Sequence, residues 1–519
     1  MERCRPSPEH SPPVTHHSLI ATCLALALLL GLAGYAGAEP AQQSDTGIWN
    51  RTFSACGICE GQAVAITADG GVAVTGTSRD SQGRPHLLIR KTSAAGTEQW
   101  SVTTADQSCT GSAIARAGPA GVAVLGSCTD GSGDATLTVL EDADGRARLS
   151  KTYDLGMRTT GTALLAPGDG GYFMVAEADT ITIGGSGRDV IFRRLDSKGN
   201  RVWDRTYPGT FSTAPVAVAA APDGGFVIAG SSVTGNSQGT DILVMKLDAS
   251  GTELWRQALG TQDDDSPEGL VATNDGGFLV AGSACAREPS TACGIYSVRI
   301  DQKGNKVWDT RFGVTGTERA AAVVKAPDGG YTIAGTIRSA DPAAPGRDIL
   351  ILHIDDAGTE LWSRSIGTAA DESVTGATLS PGGSLILTGS VADPAAADRP
   401  SLLLVSIGSG GMDPPAGLLL KSPSSPQISG RKVTVRDAKS SATIAGARVY
   451  YDGKLAGSTS AEGVFSLPQQ NTGSHSVRVT REGYRETTVM VDQDAGPDLD
   501  VSLKPSAVHR ILGAGSPEQ

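Results

Sequence analysis

The sequence has few of the residues from which most enzyme active sites are built. Only 4% of its 519 residues are aromatic, and histidine occurs seven times. Histidine is the commonest general acid–base catalyst, and no Gly-x-Ser-x-Gly, His-Glu-x-x-His or phosphate-loop motif is present. Beyond the first forty residues the histidines are far apart in sequence: His86, His353, His475 and His509. We therefore predict no catalytic residues.

Basic stretches and long apolar runs are also scarce. The net charge is -12, and without a basic stripe to neutralise phosphates we expect no nucleic-acid partner. The apolar run over residues 19–32 is too short to span a bilayer comfortably. Small residues at Ala36 and Ala38 predict a signal peptide over residues 1–38, cleaved near Ala38, with an uncleaved anchor as the alternative. We expect export to the cell surface or medium, with no membrane span in the mature chain.

Cysteine is infrequent but informative. Six cysteines follow the predicted signal peptide, an even number that suits an exported chain. Cys109 and Cys128 stand at the two open ends of a predicted hairpin, and Cys285 and Cys293 bracket one loop. Both pairs are therefore disulfide candidates.

The remaining two cysteines, Cys56 and Cys59, form a Cys-x-x-Cys pair. A thioredoxin-like redox role would need a surrounding β-α-β pattern, which the sequence lacks. A small structural disulfide, or pairing elsewhere, is favoured for both. No second Cys or His pair stands at zinc-ligand spacing.

Glycine, in contrast, is abundant, with 67 residues, and much of it belongs to a repeat. A unit of about fifty residues recurs seven times between Glu60 and Ile407, a period typical of repeat architectures. A complete unit combines an Asp-Gly-Gly step or its remnant, apolar strands and a Gly-x-x-x-Trp step, and in the second unit Leu149 replaces the tryptophan. The Asp-Gly-Gly steps begin at Asp69, Asp169, Asp223, Asp275 and Asp328, and the tryptophans of the second step are Trp100, Trp203, Trp255, Trp308 and Trp362.

The apolar runs within a unit have the lengths of strands, four to a unit. Seven such units predict an all-β, seven-bladed β-propeller over residues 39–411. The last unit ends without its tryptophan strand, and residues 47–53 supply a matching strand around Trp49. We therefore predict that this N-terminal strand closes the last blade. The six tryptophans are predicted to be structural, packing between neighbouring blades.

The loops divide between two faces of the predicted propeller. Asp-Gly-Gly turns and Asp-x-x-Gly turns share one face, whereas the long, variable loops and all six cysteines share the other. The variable face is the candidate binding surface, although tolerant loops held by disulfides would give the same pattern. Two acidic clusters are candidate calcium loops or simply solvated loops: Asp263, Asp264 and Asp265, and Asp130 with Asp134. No cofactor is predicted.

A second module follows a Pro/Ser/Gly-rich linker at residues 412–430. Residues 431–505 contain six short apolar runs, which predict a small β-sandwich, and a flexible tail is expected at residues 506–519. The phrases at 447–450, 460–465 and 479–484 resemble PEGA and carboxypeptidase-regulatory-like domains. That resemblance implies a prealbumin-like sandwich that serves as a spacer or binding module.

The larger repeat resembles the Asp-Gly-Gly β-propeller repeats of exported microbial proteins. Together the two resemblances imply a non-enzymatic exported or cell-surface protein that binds an envelope or extracellular protein or glycan. The segment 247–255 also resembles the tryptophan-docking repeat of pyrroloquinoline-quinone propellers. It leaves a quinone- or calcium-dependent propeller enzyme as the alternative, although the adjacent-cysteine pair of those enzymes has no match here.

Overall fold

The computed structural model describes residues 48–505 except for twenty short segments. The omitted segments are 55–57, 105–107, 118–120, 129–133, 142–144, 154–158, 183–184, 212–215, 234–238, 288–291, 314–317, 339–345, 394–398, 409–418, 422–431, 452–453, 460–462, 467–473, 482 and 493–497. The fold is all-β: the described residues form 36 strands and contain no helix. A membrane-crossing helix is accordingly absent from this described part of the chain.

The first 28 strands form seven antiparallel sheets, which we number by the copy of the repeat that supplies most of their strands. Sheets 1 to 3 consist of β2 (Ile58–Ile66), β3 (Val72–Arg79), β4 (Pro85–Thr92) and β5 (Glu98–Thr103); β6 (Cys109–Arg116), β7 (Gly121–Cys128), β8 (Asp134–Glu141) and β9 (Ala147–Tyr153); and β10 (Thr159–Leu165), β11 (Tyr172–Thr182), β12 (Gly185–Leu195) and β13 (Arg201–Pro208).

Sheets 4 to 7 repeat the same strand order. They consist of β14 (Ala217–Ala220), β15 (Phe226–Val233), β16 (Thr240–Leu247) and β17 (Glu253–Leu259); β18 (Asp264–Ala272), β19 (Phe278–Cys285), β20 (Cys293–Ile300) and β21 (Lys306–Phe312); β22 (Arg319–Lys325), β23 (Tyr331–Arg338), β24 (Arg347–Ile354) and β25 (Glu360–Gly367); and β26 (Asp371–Leu379), β27 (Leu385–Ala392) and β28 (Ser401–Ile407), completed by β1 (Trp49–Phe53).

Aspartates cap the first turn of sheets 1, 3, 4, 5 and 6 and the third-strand turn of sheets 3 to 6. In the first turn of sheet 1, Asp69 Oδ1 accepts the Gly71 N–H at 3.0 Å, and Gly70 has φ +79°, which glycine adopts without strain. In the third-strand turn of sheet 4, Asp248 Oδ1 accepts the N–H groups of Ser250 and Thr252 at 2.8 and 2.9 Å. Such side-chain hydrogen bonds stabilise turns and end strands at defined positions.

Apolar residues from the inner strands of neighbouring sheets form the core. One cluster, for example, combines Val227 and Val244 of sheet 4 with Phe278 and Val298 of sheet 5, all of them fully buried. In sheets 1 and 3 to 7, both faces of the third strand contribute, which is why these strands read as continuous apolar runs. The sheets therefore pack face to face, each on the next.

The tryptophans lie where each outer strand meets the next sheet. Trp203 of sheet 3 lies against Gly251 of sheet 4, so close that a Cβ on Gly251 would be 2.7 Å from the indole ring. The Trp203 indole N–H donates to the Ala249 carbonyl at 3.0 Å. Trp255 and Trp308 make the same contacts with the following sheets. In sheet 2, Leu149 takes the tryptophan position against Gly199.

Strand β1 joins the start of the repeat region to its end. It pairs antiparallel with β28, with Trp49 opposite Ser406 and Phe53 opposite Leu402. Further contacts connect sheet 7 to sheet 1: the Thr375 hydroxyl donates to the Gly61 carbonyl at 2.7 Å. Sheet 7 therefore contains strands from both ends of the repeat region, as the sequence predicted for residues 47–53.

The segment predicted as a linker contains a strand, which the sequence reading missed. Strand β29 (Leu419–Lys421) adds to the outer edge of β25 and makes sheet 6 five-stranded. Its three residues are too few to show a strand periodicity, and the surrounding prolines and serines favoured a linker instead. Pairing with an existing sheet edge, rather than local sequence preference, forms this strand.

The second module contains two sheets. One has the order β33 (Val464–Ser466), β30 (Lys432–Asp437), β36 (Asp498–Leu503), and the other has the order β32 (Lys454–Ser458), β31 (Arg448–Tyr451), β34 (Ser474–Thr480), β35 (Thr487–Asp492). Buried valines such as Val435, Val449 and Val479 form their shared core. The sequence predicted six strands and missed β32, because its Ala456 and Gly457 have low strand preference.

Candidate functional site

The alternation of strand direction sorts the connections of the seven sheets onto two faces. The aspartate-capped turns lie on one, which we call the turn face, and the remaining connections lie on the other, the loop face. The Cys109–Cys128 disulfide joins β6 to β7, and the Cys285–Cys293 disulfide joins β19 to β20, both on the loop face. Cys59 is buried and disulfide-bonded, whereas Cys56 lies outside the described residues.

The three consecutive aspartates of the predicted calcium loop have three different sets of partners. Asp263 accepts from Arg311 at 2.5 Å, and Asp264 accepts from Arg287 at 3.0 Å. Asp265 is fully buried and accepts from the Thr261 N–H at 2.6 Å. Calcium needs six to eight oxygens around one point, and among the described residues no group of three or more His, Cys, Asp or Glu could hold a metal.

The second acidic cluster, Asp130 with Asp134, is only partly described by the structure. Asp130 lies outside the described residues. Asp134 begins β8 and is paired with Cys128, next to the Cys109–Cys128 disulfide. Neither finding supplies a ligand set for calcium.

A charged patch lies on the loop face at the boundary of sheets 4 and 5. We call it the Arg–Asp cluster; it consists of Asp263, Asp264, Arg287 and Arg311. Arg287 Nε donates to Asp264 Oδ1 at 3.0 Å, and its terminal nitrogen donates to the Asp263 carbonyl at 3.2 Å. Arg311 donates to the Asp263 carboxylate at 2.5 Å and to the Ala284 carbonyl at 3.2 Å. Both arginines remain partly exposed.

Backbone and disulfide geometry hold the two arginines in place. Arg287 is two residues beyond Cys285, so the Cys285–Cys293 disulfide fixes the start of its loop. Gly239 of sheet 4 leaves room for the guanidinium, since a Cβ there would be 1.8 Å from an Arg287 nitrogen. Gly294 does the same for Arg311, whose Nε would lie 2.9 Å from a Cβ. The cluster therefore joins sheet 4 to the disulfide-bonded loop of sheet 5.

A second polar group lies beneath this patch. The Tyr296 hydroxyl, on an almost fully buried side chain, donates to Asp309 at 2.9 Å. Burial raises the pKa of Asp265 to about 6, and the nearby carboxylates of Asp241 and Asp263 act in the same direction against the Thr261 hydrogen bonds. Burial and Asp309 also raise the pKa of Tyr296. Asp265 is therefore partly protonated near pH 6, which reduces the cost of burying it.

Sequence reasoning did not foresee that this buried position recurs. The residue at the same level, within the first two residues of the first strand or, for Glu318, directly before it, is Cys59, Cys109 or Thr159 in sheets 1 to 3, and Asp265, Glu318 or Glu372 in sheets 5 to 7; all six are buried. Thr261 and Thr368 donate to Asp265 and Glu372 in the same way. A Gly-Thr step whose threonine lies four residues before Asp265 and before Glu372 was the available signal.

A further carboxyl group lies on the first strand of sheet 5. Glu268 occupies the bulge of β18, between the paired residues Pro267 and Gly269. Burial raises its pKa to about 7, opposed by the Ser266 hydrogen bond and by Arg319. The equivalent bulge residues Ser112 and Thr162 donate to the carbonyls of their own sheets.

The Asp-Gly-Gly aspartates on the turn face have a second role beyond the turn. Four form an ion pair with a basic residue on the third strand of their sheet, Asp69 with Lys91, Asp169 with Arg194, Asp223 with Lys246 and Asp275 with Arg299. In sheet 6, Asp328 forms a hydrogen bond with His353 at the same position. Sheets 2 and 7 have neither the aspartate nor the basic residue. The corresponding positions are occupied by Pro119 and Val139 in sheet 2 and by Gly382 and Ser406 in sheet 7. These charges therefore belong to the architecture.

His353 shows this most clearly. Its Nε2 lies 2.8 Å from Asp328 and its Nδ1 lies 3.0 Å from the Thr332 hydroxyl. The ring is buried and stacks on Trp362 with a centroid distance of 5.1 Å. Both ring nitrogens are satisfied within sheet 6, so this histidine holds a sheet together.

Residues 441–507, which include most of the second module, match the family model of the PEGA domain. The chain is also similar to the regulatory protein FlaEY of Caulobacter vibrioides, with 26% identity over 227 residues that cover 37% of this chain and 23% of that protein. It thus spans about a quarter of the length of that relative.

Several solved structures share a coarse likeness to the chain. They include PorZ, a surface component of the type-IX secretion system of Porphyromonas gingivalis (12% identity, TM-score 0.41, 83% of this chain and 58% of PorZ), a europium-containing methanol dehydrogenase (12%, 0.39, 66% and 80%) and cobalt-substituted ACO of Synechocystis (11%, 0.39, 72% and 96%). Scores at this level carry no argument about the activity of this chain.

Proposed function

We propose that this chain is an exported, non-enzymatic binding protein whose loop face recognises a protein partner. In this proposal the seven sheets close into a seven-bladed β-propeller over residues 39–411, and residues 431–505 form a spacer or accessory binding module. The observation that carries the proposal is the Arg–Asp cluster, a partly exposed charged patch held rigid on the loop face.

Closure of the ring is supported by contacts between sheets 7 and 1. Trp49 of sheet 7 lies against Gly96 of sheet 1, as the outer-strand residues of sheets 1 to 5 lie against a glycine of the following sheet. Its indole N–H donates to the Ala94 carbonyl at 2.9 Å. The Cys59 N–H of sheet 1 donates to the Pro400 carbonyl of sheet 7 at 2.9 Å. A sheet built from both chain ends closes a propeller and removes its exposed edges.

Export is supported by the disulfides. Cys109–Cys128 and Cys285–Cys293 are joined between paired strands, and structural disulfides persist in oxidising compartments. The predicted signal peptide, residues 1–38, lies outside the described residues. We infer an extracellular or cell-surface location from the two observations together.

A protein partner fits the loop face better than a glycan. Arginine is enriched at protein interfaces, and the two arginines of the cluster are positioned in advance by carboxylates, which lowers the entropy lost on binding. Rim charge pairs of this kind set orientation and association rate. The partner expected from this chemistry is an envelope or extracellular protein that presents both charge signs.

Cross-linking mass spectrometry on the full chain tests the proposal. The chain would be incubated with the envelope and extracellular fraction of its source and cross-linked. Cross-links to the partner should concentrate on the loop-face segments around Thr261–Asp265 and Cys285–Arg287. Partner cross-links confined to the turn face around Lys198 and Lys303 would contradict the proposal, and so would recovery of a glycan in place of a protein.

A further inference from the structure

The two disulfides of the loop face differ in how far a reagent can reach them. Each joins two cysteines that lie directly opposite one another in paired strands. Cys109 and Cys128 are 0% and 6% exposed, and Cys293 is 2% exposed, whereas Cys285 at the end of β19 is partly exposed. Thiol–disulfide exchange requires an incoming thiolate to reach one of the two sulfurs. Of these two disulfides, Cys285–Cys293 is therefore the accessible one.

The accessible disulfide lies within the Arg–Asp cluster. Cys285 is paired with Asp264 on the β18 side and with Cys293 on the β20 side, so a cluster aspartate lies directly opposite it. Arg311 donates to the carbonyl of the residue before Cys285 at 3.2 Å. Arg287 follows two residues after Cys285 and donates back to Asp264 at 3.0 Å. The covalent state of Cys285 therefore bears on the position of both arginines.

Sheet 5 does not depend on this disulfide for its strand pairing. Strands β19 and β20 are paired along their whole lengths, and beyond the disulfide the Ala286 N–H still donates to the Ala292 carbonyl at 2.7 Å. The sequence separation of the two cysteines is 8, against 19 for Cys109 and Cys128, and a short loop costs little chain entropy to close. Reduced Cys285 and Cys293 should therefore stay close enough to reoxidise.

We propose that the Cys285–Cys293 disulfide is a site of reversible thiol–disulfide exchange with an external dithiol, and that its reduction loosens Arg287 while sheet 5 stays folded. The exchange itself is independent of the proposed binding function. Only its consequence, a redox-dependent partner surface on the loop face, rests on that function.

The exchange is a balanced two-electron reaction. A thiolate of the dithiol attacks the partly exposed Cys285 sulfur, the protein S–S bond breaks, and Cys293 leaves as a thiolate that takes up a proton. The second thiol of the reagent then attacks the mixed disulfide and releases Cys285 as a thiol. The protein gains two electrons and two protons, and the dithiol becomes a cyclic disulfide. Reoxidation by the cyclic disulfide runs the same steps in reverse.

Selective reduction tests the proposal, with dithiothreitol as the probe. The folded full chain would be treated for graded times and quenched with N-ethylmaleimide, and the alkylated cysteines would be located by peptide mass spectrometry. We expect Cys285 and Cys293 to be labelled about tenfold or more faster than Cys109 and Cys128, because access limits the attack. In urea, where all cysteines are exposed, the two pairs should be labelled at similar rates. Oxidised dithiothreitol should restore the Cys285–Cys293 disulfide in the folded chain.

Limited trypsin digestion of the selectively reduced chain reports on Arg287. Cleavage after Arg287 should become several-fold faster than in the oxidised chain, since proteolysis follows local opening. Cleavage after the exposed Lys198 on the turn face is the control and should not change.

Four results would overturn this proposal. They are equal labelling rates for the two disulfides in the folded chain, reduction of Cys285–Cys293 only when the chain unfolds, failure of the reduced pair to reoxidise, and unchanged cleavage after Arg287. No partner is present in these measurements, so their outcome is separate from that of the binding proposal.

Discussion

Trp49 packs against Gly96, and this contact joins the first strand of the repeat region to its first complete sheet. A Cβ on Gly96 would lie 2.7 Å from the indole ring, and Gly96 has φ +75°, so glycine is required there on both counts. Trp49 is buried, with an exposed fraction of 8%. Because Trp49 also pairs with Ser406, one residue connects sheet 7 to sheet 1.

Replacing this residue tests its structural role. Trp49→Ala should lower the free energy of unfolding by about 3–5 kcal/mol, the usual cost of removing a buried large aromatic side chain. Urea denaturation with fluorescence detection measures the change. The control is Leu361→Ala, at an exposed aliphatic position, where a change within about 0.5 kcal/mol is expected. Equal effects of the two substitutions on the free energy of unfolding would contradict the role of Trp49 in joining sheet 7 to sheet 1.

The Cys285–Cys293 disulfide should stabilise the chain and hold Arg287 in place. Removing it by Cys285→Ala with Cys293→Ala should cost about 2.6 kcal/mol from loop entropy, given a sequence separation of 8. Removing the longer Cys109–Cys128 loop, with a separation of 19, should cost about 3.3 kcal/mol by the same relation. Urea denaturation of the two double variants tests this order. A reversed order would show that strain or denatured-state structure outweighs loop entropy.

Stability should depend on pH through Asp265. Its pKa is raised to about 6 in the folded state, against about 3.9 in the unfolded chain. A raised carboxyl pKa means that its contribution to stability is fully present below pH 4 and is lost as the pH rises through 6. Relative to Asp265→Asn, the wild-type chain should therefore gain up to about 3 kcal/mol between pH 7 and pH 4. Urea denaturation at four pH values measures the difference.

Asp301→Asn provides a control with the opposite sign. Hydrogen bonds from the Asn305 side chain and from backbone N–H groups lower the pKa of Asp301. Relative to this variant, the wild-type chain should lose stability as the pH falls through the acidic range. For each variant, the difference in free energy of unfolding from the wild-type chain is followed as the pH falls. If this difference changed in the same direction for Asp265→Asn and Asp301→Asn, the assigned environment of Asp265 would be wrong.

The enzymatic alternative makes a spectroscopic prediction. A quinone-dependent propeller would be purified with a chromophore that absorbs above 300 nm, roughly outside the range of protein side chains. The binding proposal predicts only the protein band, and a melting temperature that does not change when EGTA removes calcium. Long-wavelength absorbance, or a melting temperature that falls on chelation, would favour the enzyme.

The sequence predicted the architecture of single sheets better than their chemistry. Repeated Asp-Gly-Gly and Gly-x-x-x-Trp steps specify turns and sheet contacts locally, so the seven sheets and the strand around Trp49 could be recognised. The partnership of Asp223 with Lys246 could have been noticed, because sheets that lack the aspartate also lack the cation. Strand β29 could not be predicted from the sequence, because its pairing depends on the edge of a sheet formed earlier in the chain.

The Arg–Asp cluster was harder to foresee for a related reason. Asp263, Asp264, Arg287 and Arg311 are spread over 48 residues, and register and loop geometry alone bring them together. The aspartates were noticed as a run and interpreted as a calcium candidate. Their arginine partners stand at positions that carry no repeat signature, so charge pairing across strands was not visible from the sequence.

The most direct test of the account is the affinity of the full chain for the protein that cross-links to its loop face. Biolayer interferometry would compare the wild-type chain with Arg287→Ala, Arg311→Ala and the turn-face control Lys303→Ala. We predict that each arginine variant raises Kd by about tenfold or more, as expected for a contact that matters at an interface, whereas Lys303→Ala leaves Kd unchanged. Unchanged Kd values for both folded arginine variants would contradict the central claim that this protein binds its partner through the Arg–Asp cluster.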